Sequence, residues 1–172
     1  MRVYVPATST TLARFAGSGA FEPPITAFAV TAGVREWYRD DDQDELEYAA
    51  NGQAVRASLR MVDADPLAAR RRVVLSFDAE DAAVTVRDDL DRGAVVVGSA
   101  LGRGALASIH VDDSDAESTV ARAAAVVLEA DLGSDPSQDI VDDAEGFELA
   151  WYAPQELEHV LATLVETDPT GS

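Results

Sequence analysis

The chain has no cysteine and no lysine. Without cysteine there is no disulfide, no thiolate metal ligand and no cysteine nucleophile. Without lysine, neither a Schiff base nor a Walker phosphate loop can be built. There are two histidines and no Gly-x-Ser-x-Gly elbow, so a catalytic triad has almost no material. No apolar run approaches the ~18 residues of a membrane span. The opening stretch, Met1-Arg2-Val3-Tyr4-Val5-Pro6, lacks the apolar run of a signal peptide and reads as a strand. The expectation is a cytoplasmic protein with no membrane contact.

Positive charge is scarce as well. Thirteen basic residues, all arginine, face 32 acidic ones, for a formal charge of −19. Residues 1–86 hold 13 acids and 9 arginines, or −4; residues 87–172 hold 19 acids and 4 arginines, or −15. Such a surface repels phosphate backbones and anionic lipid, so nucleic acid is not an expected partner. A small ligand, a cation or a basic protein surface suits it better. Charge this far from zero also keeps a chain dispersed, which by itself accounts for much of the bias. The arginine-only basic set, with abundant alanine, valine and aspartate, has the look of a GC-rich genome.

The 172 residues suit one domain, able to bury roughly 70% of its unfolded surface. Alternation around Val3 and Val5 predicts a strand over 2–6, and Thr8 caps a short helix carrying Leu12, Phe15 and Ala16 that ends at Gly17-Ser18-Gly19. A strand over 25–30 and a helix over 32–38 follow. The longest helix is expected over about 43–63, with Asp42 and Glu45 at capping-box spacing. Its predicted buried seam is Tyr48, Gly52, Val55, Leu59 and Val62. Strands are predicted over 73–77, 84–86, 94–97, 106–111 and 147–152, and Gly98 to Gly104 reads as a hairpin loop. Helices are predicted over 115–130, where Ser114 and Glu117 form a capping box, from an Asp135 cap onward, and after Pro154. The last should bury Leu157, Val160, Leu161, Leu164 and Val165. The central run of strands argues for an α+β fold over 1–166. It should hold one mixed sheet of five or more strands with helices packed on it, the alternative being a three-layer α/β fold. Residues 167–172 read as a frayed tail.

Many acids have a structural reason. Asp40, Asp41, Asp42, Asp44, Glu45 and Glu47 crowd the start of the long helix, and Asp112, Asp113, Asp115 and Glu117 the start of another. Carboxylates near a helix start contribute about 0.3–1 kcal/mol each. Asp142, Asp143, Glu145 and Glu148 are not explained this way. With Asp139 they lack the alternating order and glycine of an EF-hand and suit a solvated face.

The sharpest local cluster is His110-Val111-Asp112-Asp113-Ser114-Asp115, where a strand becomes a helix. His110 should face away from the Ile109 and Val111 side of its sheet. His110 and Asp112 could hold a divalent cation, and His110, Asp112 and Asp113 are the candidate catalytic set. The structural alternative is helix capping with a solvated histidine. Thr8 to Thr11 could bind an anion but suit a cap better. Arg70-Arg71-Arg72 could grip a phosphate, or simply offset the acidic surface of its own fold. Trp37-Tyr38 and Trp151-Tyr152 could line a pocket or an interface, with core packing the plainer reading, above all for Trp151. His159 falls on the polar face of the last helix.

Met1-Arg2-Val3-Tyr4-Val5-Pro6-Ala7-Thr8, Arg35-Glu36-Trp37-Tyr38, Glu45-Leu46-Glu47-Tyr48-Ala49-Ala50, His110-Val111-Asp112-Asp113 and Trp151-Tyr152-Ala153-Pro154-Gln155-Glu156-Leu157 occur in that order. Together they resemble a family of uncharacterised actinobacterial proteins of similar length. The resemblance implies a cytoplasmic actinobacterial protein and carries no activity or site residues with it. With no catalytic set complete and no cofactor evident beyond a possible divalent metal, the reading is a non-enzymatic binding or regulatory domain. It would act through a protein partner or a small ligand. The alternative is a metal-dependent hydrolase built around His110, Asp112 and Asp113.

Overall fold

β1 (Arg2–Ala7) is the centre of a seven-stranded sheet in the computed structural model, which describes residues 1–38 and 42–166. Asp40, Asp41 and the expected frayed tail lie outside the described residues. The remaining strands are β2 (Ala20–Phe21), β3 (Ile25–Phe28), β4 (Val73–Asp78), β5 (Val84–Val86), β6 (Ala94–Val97), β7 (Leu101–Gly102), β8 (Leu106–Val111) and β9 (Ala150–Tyr152). The helices are α1 (Ser9–Ser18), α2 (Ala32–Tyr38), α3 (Gln43–Ala64), α4 (Glu117–Asp131), α5 (Asp135–Glu145) and α6 (Leu157–Glu166).

The large sheet runs β5-β6-β3-β1-β4-β8-β9, and β2 pairs with β7 in a small second sheet. This is a single α+β domain. Where the sequence suggests mixed pairing, each neighbouring pair is antiparallel. The reason is the crossover. β3 and β4, joined through α2 and α3, do run in the same direction, but β1 lies between them and takes the hydrogen bonds of both. The stretch from Gly98 to Gly104 is not a hairpin. β6 and β8 lie on opposite sides of β1, and the stretch carries the chain across by way of β7.

Side chains alternate across the sheet, so each face has its own core. Val3, Val5, Val73, Leu75, Phe77, Ile109 and Val111 pack with Leu12 and Phe15 of α1 and with Leu157, Val160 and Leu164 of α6. α1 starts where the sequence places it. Thr8 accepts from the Thr11 amide, and Gly19, at φ 86°, closes the C-terminus in the left-handed region that glycine adopts freely. In α6, Leu161 is only partly buried and Val165 is 74% exposed, so the apolar face is narrower than predicted.

The other face carries Tyr4, Phe28, Val74 and Ala94 against Ala50 and Ala54 of α3. Small residues let the helix lie close to the sheet. Buried Ser58 uses the proximity: its hydroxyl donates to the Ala7 carbonyl at 2.7 Å and accepts from the Val73 amide at 2.9 Å. It thereby joins α3 to the ends of β1 and β4. The expected seam of α3 is therefore corrected. Leu59 and Val62 are buried, beneath α4 and α5, but Val55 is half-buried, Gly52 exposed and Tyr48 65% exposed. The face that touches the sheet is made of small residues, which a search for large apolar ones overlooks.

The caps also shift. Asp42 caps α3 through the Asp44 amide. α5 is capped by Ser134, one residue before Asp135. Ser114 opens a short 3-10 turn, Ser114–Ala116, rather than a capping box, because Glu117 reaches instead to Arg71. Trp151 sits on the terminal strand β9 and is 63% exposed, against the expectation of core packing.

Candidate functional site

His110 pairs in register with Val74, which places it on the α3 face of the sheet while Ile109 and Val111 enter the opposite core. Its Nε2 lies 2.8 Å from Ser108 Oγ, and Ser108 Oγ shares a short hydrogen bond with Ser76 Oγ. Both serines are buried. Only one direction satisfies both buried hydroxyl protons among the described residues. Ser76 has no further acceptor among the described residues, so its hydroxyl donates to Ser108, and the Ser108 hydroxyl donates to His110 Nε2. Nε2 is then the bare nitrogen and Nδ1 carries the proton. Protonating Nε2 would reverse the chain and strand a buried hydroxyl. Burial, and secondarily the charge of Arg2, hold this imidazole below its ordinary titration range. On β1, two strands away and in register with Ser76, Tyr4 has its phenol pushed up to about 12 by burial first and by Glu47 second.

The two carboxylates of the sequence cluster go elsewhere. Asp112 is fully buried against Arg72, whose Nε reaches Oδ2 at 2.7 Å and whose Nη2 reaches Oδ1 at 2.8 Å. The Arg72 amide donates to Oδ2 as well, at 2.8 Å. Asp113 is exposed at the start of the 3-10 turn and makes no capping bond there. The structure therefore does not bring His110, Asp112 and Asp113 together as a ligand set. Among the described residues no three His, Asp or Glu side chains gather to hold a metal ion. The arginine run is internal scaffolding. Arg71 and Arg72 are buried, Arg71 pairs with Glu117 at 2.8 Å, and Arg70 donates to the Asp65 and Ala68 carbonyls. His159 is exposed, on the side the sequence indicates.

What His110 does face is a cavity of about 720 Å³ between α3, α5, β8 and the segment 147–149. Tyr48, Val55 and Leu59 line it from α3, Val141 from α5, and Phe147 and Leu149 from the segment ahead of β9. The same small residues that draw α3 onto the sheet leave the larger Tyr48 and Val55 beside it, as walls. At Gly52, also in the lining, an added Cβ would meet nothing within 4 Å. Two lining side chains, Asn51 and Gln53, have buried carbonyl oxygens with no donor among the described residues. Gln53 Oε1 lies toward Gly93, where a Cβ would sit 2.5 Å away; Gly93, at φ 83°, has two reasons to be glycine. Arg72 closes the inner end, donating to the Phe147 carbonyl at 3.0 Å.

The sequence points to His110 but not to this cavity. Asn51, Gln53 and Phe147 carry no motif. One local signal was available: Asn51-Gly52 places two poor helix formers side by side in the middle of the longest helix.

Residues 1–161 match the family of unknown function DUF6912. The chain belongs to that family. No curated protein and no solved structure matches the chain. Among the described residues, no helix is long and apolar enough to cross a membrane.

Proposed function

We propose that this protein is a non-enzymatic binding domain whose ligand is a small molecule seated in the cavity between α3, α5 and β8. The observation that carries this reading is the cavity over Gly52. It has the size of a small-molecule site, and it holds apolar walls, a fixed imidazole and buried amide carbonyls without donors. An unpartnered buried carbonyl destabilises the empty protein, and a ligand donor would relieve that. The metal-dependent hydrolase is the weaker reading, because both oxygens of Asp112 are held by Arg72. Nucleic acid lies outside the proposal, on the strength of the −19 charge. The proposed setting is the cytoplasm of an actinobacterium; the arginine-only composition supports the GC-rich source.

The test is a fragment screen read by NMR on the Val55 and Leu149 methyl groups, with Gly52→Leu as the blocked control. Saturable shifts that vanish in Gly52→Leu support the pocket. If no fragment moves these methyls, the reading fails.

A further inference from the structure

From the charges that the cavity's own ion pairs leave open, we infer the class of its ligand: a small organic cation, an amine or guanidine. This rests on the pocket proposed above. Among the described residues three arginines line the cavity, and each is already committed. Arg72 is held by Asp112, Arg60 by Asp131 at 2.7 Å, and Arg56 by Asp131 at 3.0 Å and Glu145 at 3.6 Å. Glu45, Asp91 and Glu148 line it too, and none of them pairs with a cation among the described residues. Among the described residues the lining is therefore net negative after every internal pair is counted.

The buried Asn51 amide agrees. An ammonium or guanidinium has donors and no acceptor, which is what an unfilled Asn51 carbonyl requires. At the mouth, the Tyr48 hydroxyl donates to Glu148 at 3.4 Å, so an aromatic ring and a carboxylate stand together. Rings attract cations over their faces, and this chain already contains such a contact, with the Arg92 guanidinium 3.6 Å from the Trp37 ring centroid. An anion would meet no free positive group among the described lining residues and would have to approach a chain of charge −19. A bare metal ion lacks a clustered ligand set among the described residues.

The experiment titrates the full chain with spermidine, agmatine, glutarate and 1,4-butanediol at about 0.15 M salt, where the screening length is about 8 Å. The readout is again the Val55 and Leu149 methyls. The expected result is a saturable shift with the two cations. Glu148→Gln and Glu45→Gln should each weaken binding about 5-fold, as loss of an exposed charge contact does. Asp139→Asn, an exposed acid of α5 outside the cavity, should leave binding unchanged. If glutarate or butanediol moves the methyls and the cations do not, the cation inference is wrong and the pocket stands. If no probe moves them, and the fragment screen is also silent, both fall. If the amines bind without saturation and Asp139→Asn weakens them equally, they only condense on an acidic surface, and the cation inference is overturned.

Discussion

Arg72 and Asp112 face each other fully buried, joined by two side-chain contacts of 2.7 and 2.8 Å and by backbone bonds on either side. One ends the run into β4 and the other follows β8, so the pair ties the two strands together where both leave the sheet. Removing one member leaves a bare buried charge, whereas removing both need not. Asp112→Ala should destabilise by about 3–5 kcal/mol in urea unfolding, and Asp112→Leu with Arg72→Met should recover much of the loss. If Asp112 served instead as a metal ligand, Asp112→Ala would leave metal-free stability nearly unchanged.

His110 should make the fold acid-sensitive near neutrality. Its folded pKa is lowered by burial, so the unfolded chain binds the proton more readily. The stability tied to the neutral ring is present above the ordinary value of about 6.5 and is lost as pH falls through that value toward the folded one. Wild type minus His110→Gln, measured by urea unfolding between about pH 7.5 and 5.5, should shrink on acidification. Ser108→Ala removes the hydroxyl that donates to the neutral ring and should move the NMR titration of His110 upward. A titration at or above the ordinary value in the wild type would overturn the hydrogen-bond direction argued for Ser76, Ser108 and His110.

Period-2 and helical patterning were enough to locate most elements, because Val3, Val5, Leu75 and Ile109 alternate cleanly and caps such as Thr8 act locally. The misread features depend on distance in the chain. That α3 meets the sheet through Ala50, Ala54 and Ser58 follows from how closely the helix approaches β1 and β4, which no local pattern encodes. Arg72 looks like a surface charge until β8 brings Asp112 beside it. The strand end at His110 was visible in the sequence. The wall opposite it was not, since the residues that form it are those left over after the small ones take the sheet.

α6 offers a graded check of its narrowed face. Leu157 is fully buried in the main core, Leu161 packs against its edge and Val165 is exposed. Leu157→Ala should cost about 2–5 kcal/mol, and Val165→Ala should stay within about 0.5 kcal/mol. Leu161→Ala should fall between them. Equal losses at Leu157 and Val165 in chemical unfolding would mean that the helix is rotated from the face described.

Asn51 and Gly52 together predict an exchange of stability for binding. Gly52 lies inside α3 with open space where a side chain would stand, and glycine there costs about 1 kcal/mol relative to alanine. Gly52→Ala should therefore raise stability by about that amount, as a surface helix position does. Asn51 holds a carbonyl buried without a donor, so Asn51→Leu, similar in size, should also stabilise the empty protein. If both residues were there only for the fold, these gains would carry no penalty elsewhere. If they shape a ligand site, the fragments that move the Val55 and Leu149 methyls should bind Asn51→Leu less tightly, through the lost acceptor. Enlarging position 52 from alanine to leucine should weaken them progressively by occlusion. Thermal melts of the empty variants and NMR titrations of the same samples separate the two cases. Stabilised variants with undiminished fragment affinity would show that Asn51 and Gly52 serve no ligand.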